Sequence, residues 1–284
     1  MKKSIYILPL VLLLASCNNE EQNAAFEQDE IRFNIVHPSA AVTRVTETHF
    51  DQNDKVGVYL TGANKPLDII GNYIDNASLT YNGSIWAPSS KIYWNNGTYD
   101  AYAYYPYNAD VKSIDDYTFN VNLDQSTAAN YSASDFLWAS SKSLTASDQG
   151  VQLLFKHKMS RMMITLQKSA NYEGEIPDDA EVYIHNTVPE STIDLGVGIP
   201  TKNPKGTAKT IRAYKHSRGK YSAIIVPQRL SSRVPLVEVI ANGVSYLYEA
   251  KFLFQSGIQH NVALTISKNP EQIKIELGGE IINW

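Results

Sequence analysis

Cys17 is the only cysteine of the chain, and its surroundings give the thiol a task. Lys2 and Lys3 precede an apolar run from Ile5 to Ala15, which ends in Leu14-Ala15-Ser16-Cys17. Charge, apolar length, small residues at a cut site and the thiol coincide as in a lipobox, whose cysteine becomes the acylated first residue. The run is too short for a transmembrane span. Acyl chains on Cys17 would hold the chain to a membrane at about 0.8 kcal/mol per buried CH₂. All later residues would then work outside the cytoplasm.

The remaining reactive residues form no catalytic pattern. His37, His49, His157, His185, His216 and His260 are scattered, with no pair at ligand spacing. Nucleophile-elbow, phosphate-loop and dinucleotide motifs are absent. Asp51, Asn53 and Asp54 match part of a calcium loop, but its glycine and terminal glutamate are missing; a turn ahead of Lys55 accounts for them. Asp115-Asp116 and Asp178-Asp179 are adjacent, so their carboxylates diverge. A single cysteine excludes a multi-thiolate zinc site and an intrachain disulfide. No metal, cofactor or enzymatic activity is expected. His157, between Phe155 and Met159, reads as structural, since a general base needs positioned partners. Trp86, Trp94, Trp138, Tyr93, Tyr102, Tyr104, Tyr105 and Tyr107 offer flat faces for sugars or proteins. Alternation with small residues in Tyr99–Tyr105 favours the core for them.

The elements around these residues are strands. The chain has 284 residues, 18 tyrosines beside 8 phenylalanines, and a net charge of −4 that gives no polybasic drive toward nucleic acid. Apolar and polar residues alternate in Glu30–Ile35, Lys55–Leu60, Tyr99–Tyr105 and Thr118–Leu123. The pattern returns in Val151–Phe155, Met159–Leu166, Glu181–His185, Tyr221–Val226, His260–Ser267 and Gln272–Leu277. Asn82-Gly83 and Asn242-Gly243 mark hairpins, the second between Val234–Ile240 and Ser245–Phe254. Thr127–Trp138 holds one or two helical turns at most. Turn signals at such short intervals predict an all-β chain of two tandem antiparallel β-sandwich domains with little helix. The expected division is a signal peptide over 1–16, a flexible leader over 17–30, and sandwiches over 31–152 and 153–284.

The order of several stretches resembles the fimbrillin family, the pilins and minor fimbrial subunits of Gram-negative anaerobes. They are Leu14–Cys17, Thr43-Arg44-Val45-Thr46, Phe50–Tyr59, Ile92-Tyr93-Trp94, Tyr99–Tyr107, Asp135–Ala139 and Leu154–Met162. The likeness covers most of the N-terminal half; beyond Arg161 only the strand texture matches. Asn18-Asn19-Glu20-Glu21 resembles the acidic export signal of surface lipoproteins, and a plain tether fits equally. The resemblance implies transthyretin-like sandwiches and a lipoprotein of the outer membrane, at the cell surface or in a fimbrium. It implies maturation by a trypsin-like, Arg-specific protease and polymerisation by strand exchange with other fimbrial subunits. Arg44, in a small polar stretch, is the expected cut site, with Arg32 as the alternative. The strand of Ile31, Phe33 and Ile35 would then be the displaced element. Ile273, Ile275, Leu277 and the terminal Trp284 would form the donor end, with Trp284 reading more readily as core. A host glycan or protein receptor is a further expected partner. The rival reading is a surface glycan-binding lipoprotein.

Overall fold

Residues that alternate in polarity and end in turn formers have one stable solution, which is to bury one face of a sheet. The structure is a computed structural model that describes residues 29–38, 49–146, 149–268, 274–276 and 282–284. Cys17, Arg44, Ile273 and Leu277 lie outside the described residues. In the first half the strands are β1 (Phe33–Val36), β2 (Lys55–Gly62), β3 (Ile74–Tyr81), β4 (Trp86–Pro88), β5 (Tyr99–Tyr105) and β6 (Tyr117–Asn120). A short helix α1 (Ala128–Ser132) precedes β7 (Leu137–Leu144), β8 (Val151–Leu154), β9 (Lys156–His157) and β10 (Ser160–Lys168). Next come β11 (Glu181–Thr187), β12 (Glu190–Asp194), β13 (Ile199–Lys202), β14 (Lys209–Arg212), β15 (Tyr214–Ser217) and β16 (Lys220–Ile225). The chain closes with β17 (Gln228–Ala241), β18 (Val244–Phe254), β19 (Ile258–Ile266), β20 (Lys274–Glu276) and β21 (Ile282–Asn283).

The fold is all-β, as expected. One six-stranded sheet runs β4-β3-β2-β5-β7-β9, and the two-stranded sheet β1-β8 covers part of it. Ile31, Phe33, Val56, Val58, Leu60, Trp86, Val151 and Leu153 share one core between them. The opposite face of the six-stranded sheet is also buried. Tyr59 and Tyr104 join Tyr117, Phe119 and Phe136 in the larger core. That core runs on into the sheets β15-β16-β10-β19-β20, with β21 also on β19, and β14-β11-β17-β18.

Two pairings depart from an antiparallel plan. β1 pairs with β8 in parallel, and β10 pairs with β19 in parallel over eight residue pairs. Contacts also cross between the two halves of the chain. β6 pairs with β12, completing the sheet β13-β12-β6. Gln125, fully buried, imitates a strand: its amide donates to Ile224 O at 2.7 Å and its carbonyl accepts from Ile224 N at 2.8 Å. The two hairpin signals resolve differently. Asn242 and Gly243, with φ of 52° and 73°, form a two-residue turn that sets Ala241 opposite Val244. The Asn82 loop takes four residues, because the Asn82 side chain accepts from Ser84 N and Ile85 N and sets Tyr81 opposite Trp86.

Three histidines couple this packing to pH. Burial lowers the pKa of His37, His260 and His216, the last to about 4 with help from the Arg161 charge. His216 is held neutral against Ser222 Oγ at 2.6 Å. An unfolded histidine near 6.5 binds a proton that the folded one refuses, so stability rises with pH between about 4 and 6.5. We expect the melting temperature to fall as pH drops from 7 to 4.5. His216→Gln should flatten that slope in a melting series.

Candidate functional site

Among the described residues, the first strand is bonded from one side only. Its approach, residues 29–31, lies along 92–94: Ile31 N donates to Ile92 O at 2.7 Å and Trp94 N donates to Asp29 O at 2.8 Å. From there β1 turns its bonding to β8. Val151 N donates to Arg32 O at 2.8 Å and Phe155 N donates to Val36 O at 3.0 Å. Backbone groups alternate sides along a strand, so residues 32, 34 and 36 face β8. Ile31, Phe33 and Ile35 face the other way, and only Ile31 has found a backbone partner there among the described residues. The Phe33 and Ile35 amides point toward a groove of about 500 Å³, lined by β1 and by Tyr81, Ile85 and Trp86 of the β3–β4 hairpin. Phe50 and His37 close its end.

Side chains, more than backbone bonds, keep β1 in place. Ile31 and Phe33 are 2% and 5% exposed, each contributing about 1.5–3 kcal/mol by burial. Ile35 is half-buried, and Arg32 and Asn34 point to solvent. Beneath the strand, Gly150 has φ +70°, and a Cβ there would sit 2.7 Å from Arg32 O. Only glycine lets the two backbones approach closely enough for the Val151–Arg32 bond.

The far end of the chain is seated differently. β20 and β21 both pair with β19, and Trp284 N donates to Gly257 O at 2.9 Å. The Trp284 ring is 8% exposed and lies 4.0 Å from the His157 ring, with 7° between their planes. The Arg161 guanidinium lies 4.4 Å from the same indole. His157 is fixed by Asp135 at 2.7 Å, and Arg161 donates from Nε to Gln259 Oε1 at 2.8 Å. Gly257, at φ +68°, lets the chain pass His157 O, which a Cβ would meet at 2.9 Å. Trp284 is thus packed as core within its own chain, stacked on an imidazole and a cation.

Other singled-out residues take structural places. Asp54 Oδ2 accepts from Asp51 N at 2.8 Å, closing a turn in which Asn53 has φ 78°. Burial raises the Asp54 pKa. His37, His49, Asp51, Asp54 and Asp135 line a pocket of about 180 Å³. Among the described residues no group of histidines and carboxylates is arranged to hold a metal. Trp86 and Trp94 are 8% and 4% exposed, and Trp138 donates to Leu195 O at 2.7 Å. The tryptophans therefore present no open platform to sugars; of the aromatics considered, Tyr93 is exposed. Asp135 and Gln259 hold the partners of Trp284; Asp135 opens one of the stretches that carry the resemblance, and Gln259 carried no motif in the sequence.

The architecture recurs in known structures. A protein of Bacteroides uniformis assigned to cell adhesion matches with a TM-score of 0.69 at 18% identity, over 90% of this chain and 98% of its own. A Bacteroides ovatus protein with the same assignment also gives 0.69 at 18%, over 91% and 98%. A fimbrial protein of Bacteroides ovatus gives 0.55 at 19%, over 84% of this chain and 50% of its own. At such identities the likeness is one of fold, and the fold is that of an all-β class found in fimbrial and adhesion proteins. The chain belongs to the fimbrillin-like family, whose model matches residues 43–284. No curated protein matches it. No helix among the described residues is long and apolar enough to cross a membrane.

Each seat has a test. Trp284→Ala should cost about 3 kcal/mol, the low end for a buried aromatic, read as a drop in denaturation midpoint. Amide exchange at Ile258 and Gln259 should speed up in that variant. Gly150→Ala, which leaves the sequence of β1 unchanged and pushes on Arg32 O, should free β1 and make residues 29–36 the first segment lost in limited proteolysis.

Proposed function

We propose that the chain is a lipid-anchored subunit of a fimbrium, a pilin or adhesin, with no catalytic role. In this reading Cys17 carries the lipid and places the protein on the outer membrane, at the cell surface. A trypsin-like protease cuts behind Arg44, and β1 leaves with the segment ahead of the cut. Arg32 is the poorer substrate, because its carbonyl is bonded to Val151 N. What supports the reading is the seat of β1, bonded along one edge among the described residues and bordering an open groove.

Loss of β1 would uncover the β8 edge and the places of Ile31 and Phe33. A strand with alternating apolar residues from another subunit could fill both, which is β-augmentation. The C-terminal segment containing Ile273, Ile275, Leu277 and Trp284 is the donor in this reading. Donation requires β20 and β21 to leave β19, so the Trp284 stack opposes it. A host receptor for the assembled fibre is part of the same proposal.

Purified precursor treated with trypsin should give a new N-terminus at Val45 and oligomers on size exclusion. Arg44→Ala should keep its fold and form no fibres. A wild-type chain that is cut at Arg44, releases β1 and forms no fibre would sink the reading; so would normal fibre formation by Arg44→Ala.

A further inference from the structure

β18 is the last strand of β14-β11-β17-β18. β17 bonds one of its edges; the other has no partner among the described residues. It runs for 11 residues, and an open edge of that length is a template for another strand. Native proteins blunt such edges with charge, and β18 carries Glu249 and Lys251 there. Their placement makes the edge complementary to itself.

Leu247-Tyr248-Glu249-Ala250-Lys251-Phe252-Leu253 has mirror order about Ala250. From the centre outward stand opposite charges, two aromatics and two leucines. We propose that β18 is a pairing surface for a second copy of this chain, joined antiparallel with Ala250 opposite Ala250. Glu249 then faces Lys251 of the second copy, twice by symmetry. Tyr248 meets Phe252, and Leu247 meets Leu253. Slipping the register by two residues in either direction sets Glu249 against Glu249 or Lys251 against Lys251, so like charges exclude the neighbouring registers.

The backbone agrees with this register. Ala241 and Val244 close a two-residue turn and so exchange both their hydrogen bonds. Both register shifts of the pair insert residues into β17 and leave β18 regular. Counting by twos, Val244, Tyr246, Tyr248 and Ala250 turn their backbone groups to β17. Leu247, Glu249, Lys251 and Leu253 turn theirs outward, and Pro235, without an N–H, suitably stands opposite Glu249. The symmetric centre at Ala250 is therefore a non-bonded pair, flanked by bonded Glu249–Lys251 pairs. Faces agree as well: Leu247 and Leu253 are 46% and 40% exposed on the outer face, while Tyr246 and Phe254 are buried on the inner one.

Competition within the chain is weak. Glu249 lies 3.6 Å from Arg233, and both side chains are largely in solvent, where such a pair contributes little. Lys251 has no carboxylate partner among the described residues. The contact uses neither β1 nor the C-terminal donor, so it is tested on uncut protein.

The test is sedimentation equilibrium of the uncut chain carrying Cys17→Ala, which leaves no lipid and no other thiol. A monomer–dimer equilibrium is expected. Glu249→Lys and Lys251→Glu should each weaken it about tenfold or more, and the double exchange should restore it to within about threefold. Ala250→Cys in the same background should give a disulfide dimer on oxidation, since a non-bonded pair brings the Cα atoms within disulfide reach. Three outcomes overturn the proposal: a monomer up to about 1 mM with no disulfide at 250, association indifferent to both charge reversals, or a double variant as weak as the singles.

Discussion

The structure turns on a four-residue parallel contact between β1 and β8. A parallel pair bonded, among the described residues, on one side, with the other side opening on a groove, is weak backbone support for a strand. Ile31 and Phe33 supply most of the hold, and they sit in the same core as Val58, Leu60 and Trp86. The strand completes a core without being woven into its main sheet. It is the kind of element whose place a chain of similar pattern can take, because the core specifies apolar side chains at alternate positions and little else.

The opposite end of the chain is organised to hold. β19 lies beside the central strand β10, bonded to it over eight residue pairs, and the last strands lean on β19. Trp284 finishes this arrangement by stacking on His157, whose position depends on Asp135. His157 also belongs to β9, the edge strand of the N-terminal six-stranded sheet. The final residue thus packs where the two large sheets meet, and a change at one sheet is felt at the chain's end.

Strand alternation made most of the architecture readable, because half-buried strands such as Val151–Leu154 declare their period in the residues themselves. The segment from 190 to 217 was not readable. β12 to β15 are four- or five-residue strands with mixed patterns, stabilised by partners distant in sequence, β6 among them. Parallel pairing of β1 with β8 was equally hidden, since alternation says which face is buried and nothing about the neighbour's direction. Within the site, Phe33 and Trp284 were visible as apolar anchors. Asp135, Gln259 and Gln125 were not, for a buried polar residue reveals its role only through the group it bonds.

Amide hydrogen exchange, resolved by residue on the uncut protein, addresses the central claim most directly. The account predicts that Phe33 and Ile35, whose amides face the groove, exchange orders of magnitude faster than Val58 and Leu60 in the main sheet. Protection of Phe33 and Ile35 equal to that of Val58 and Leu60 would show β1 bonded on both edges and would contradict the account.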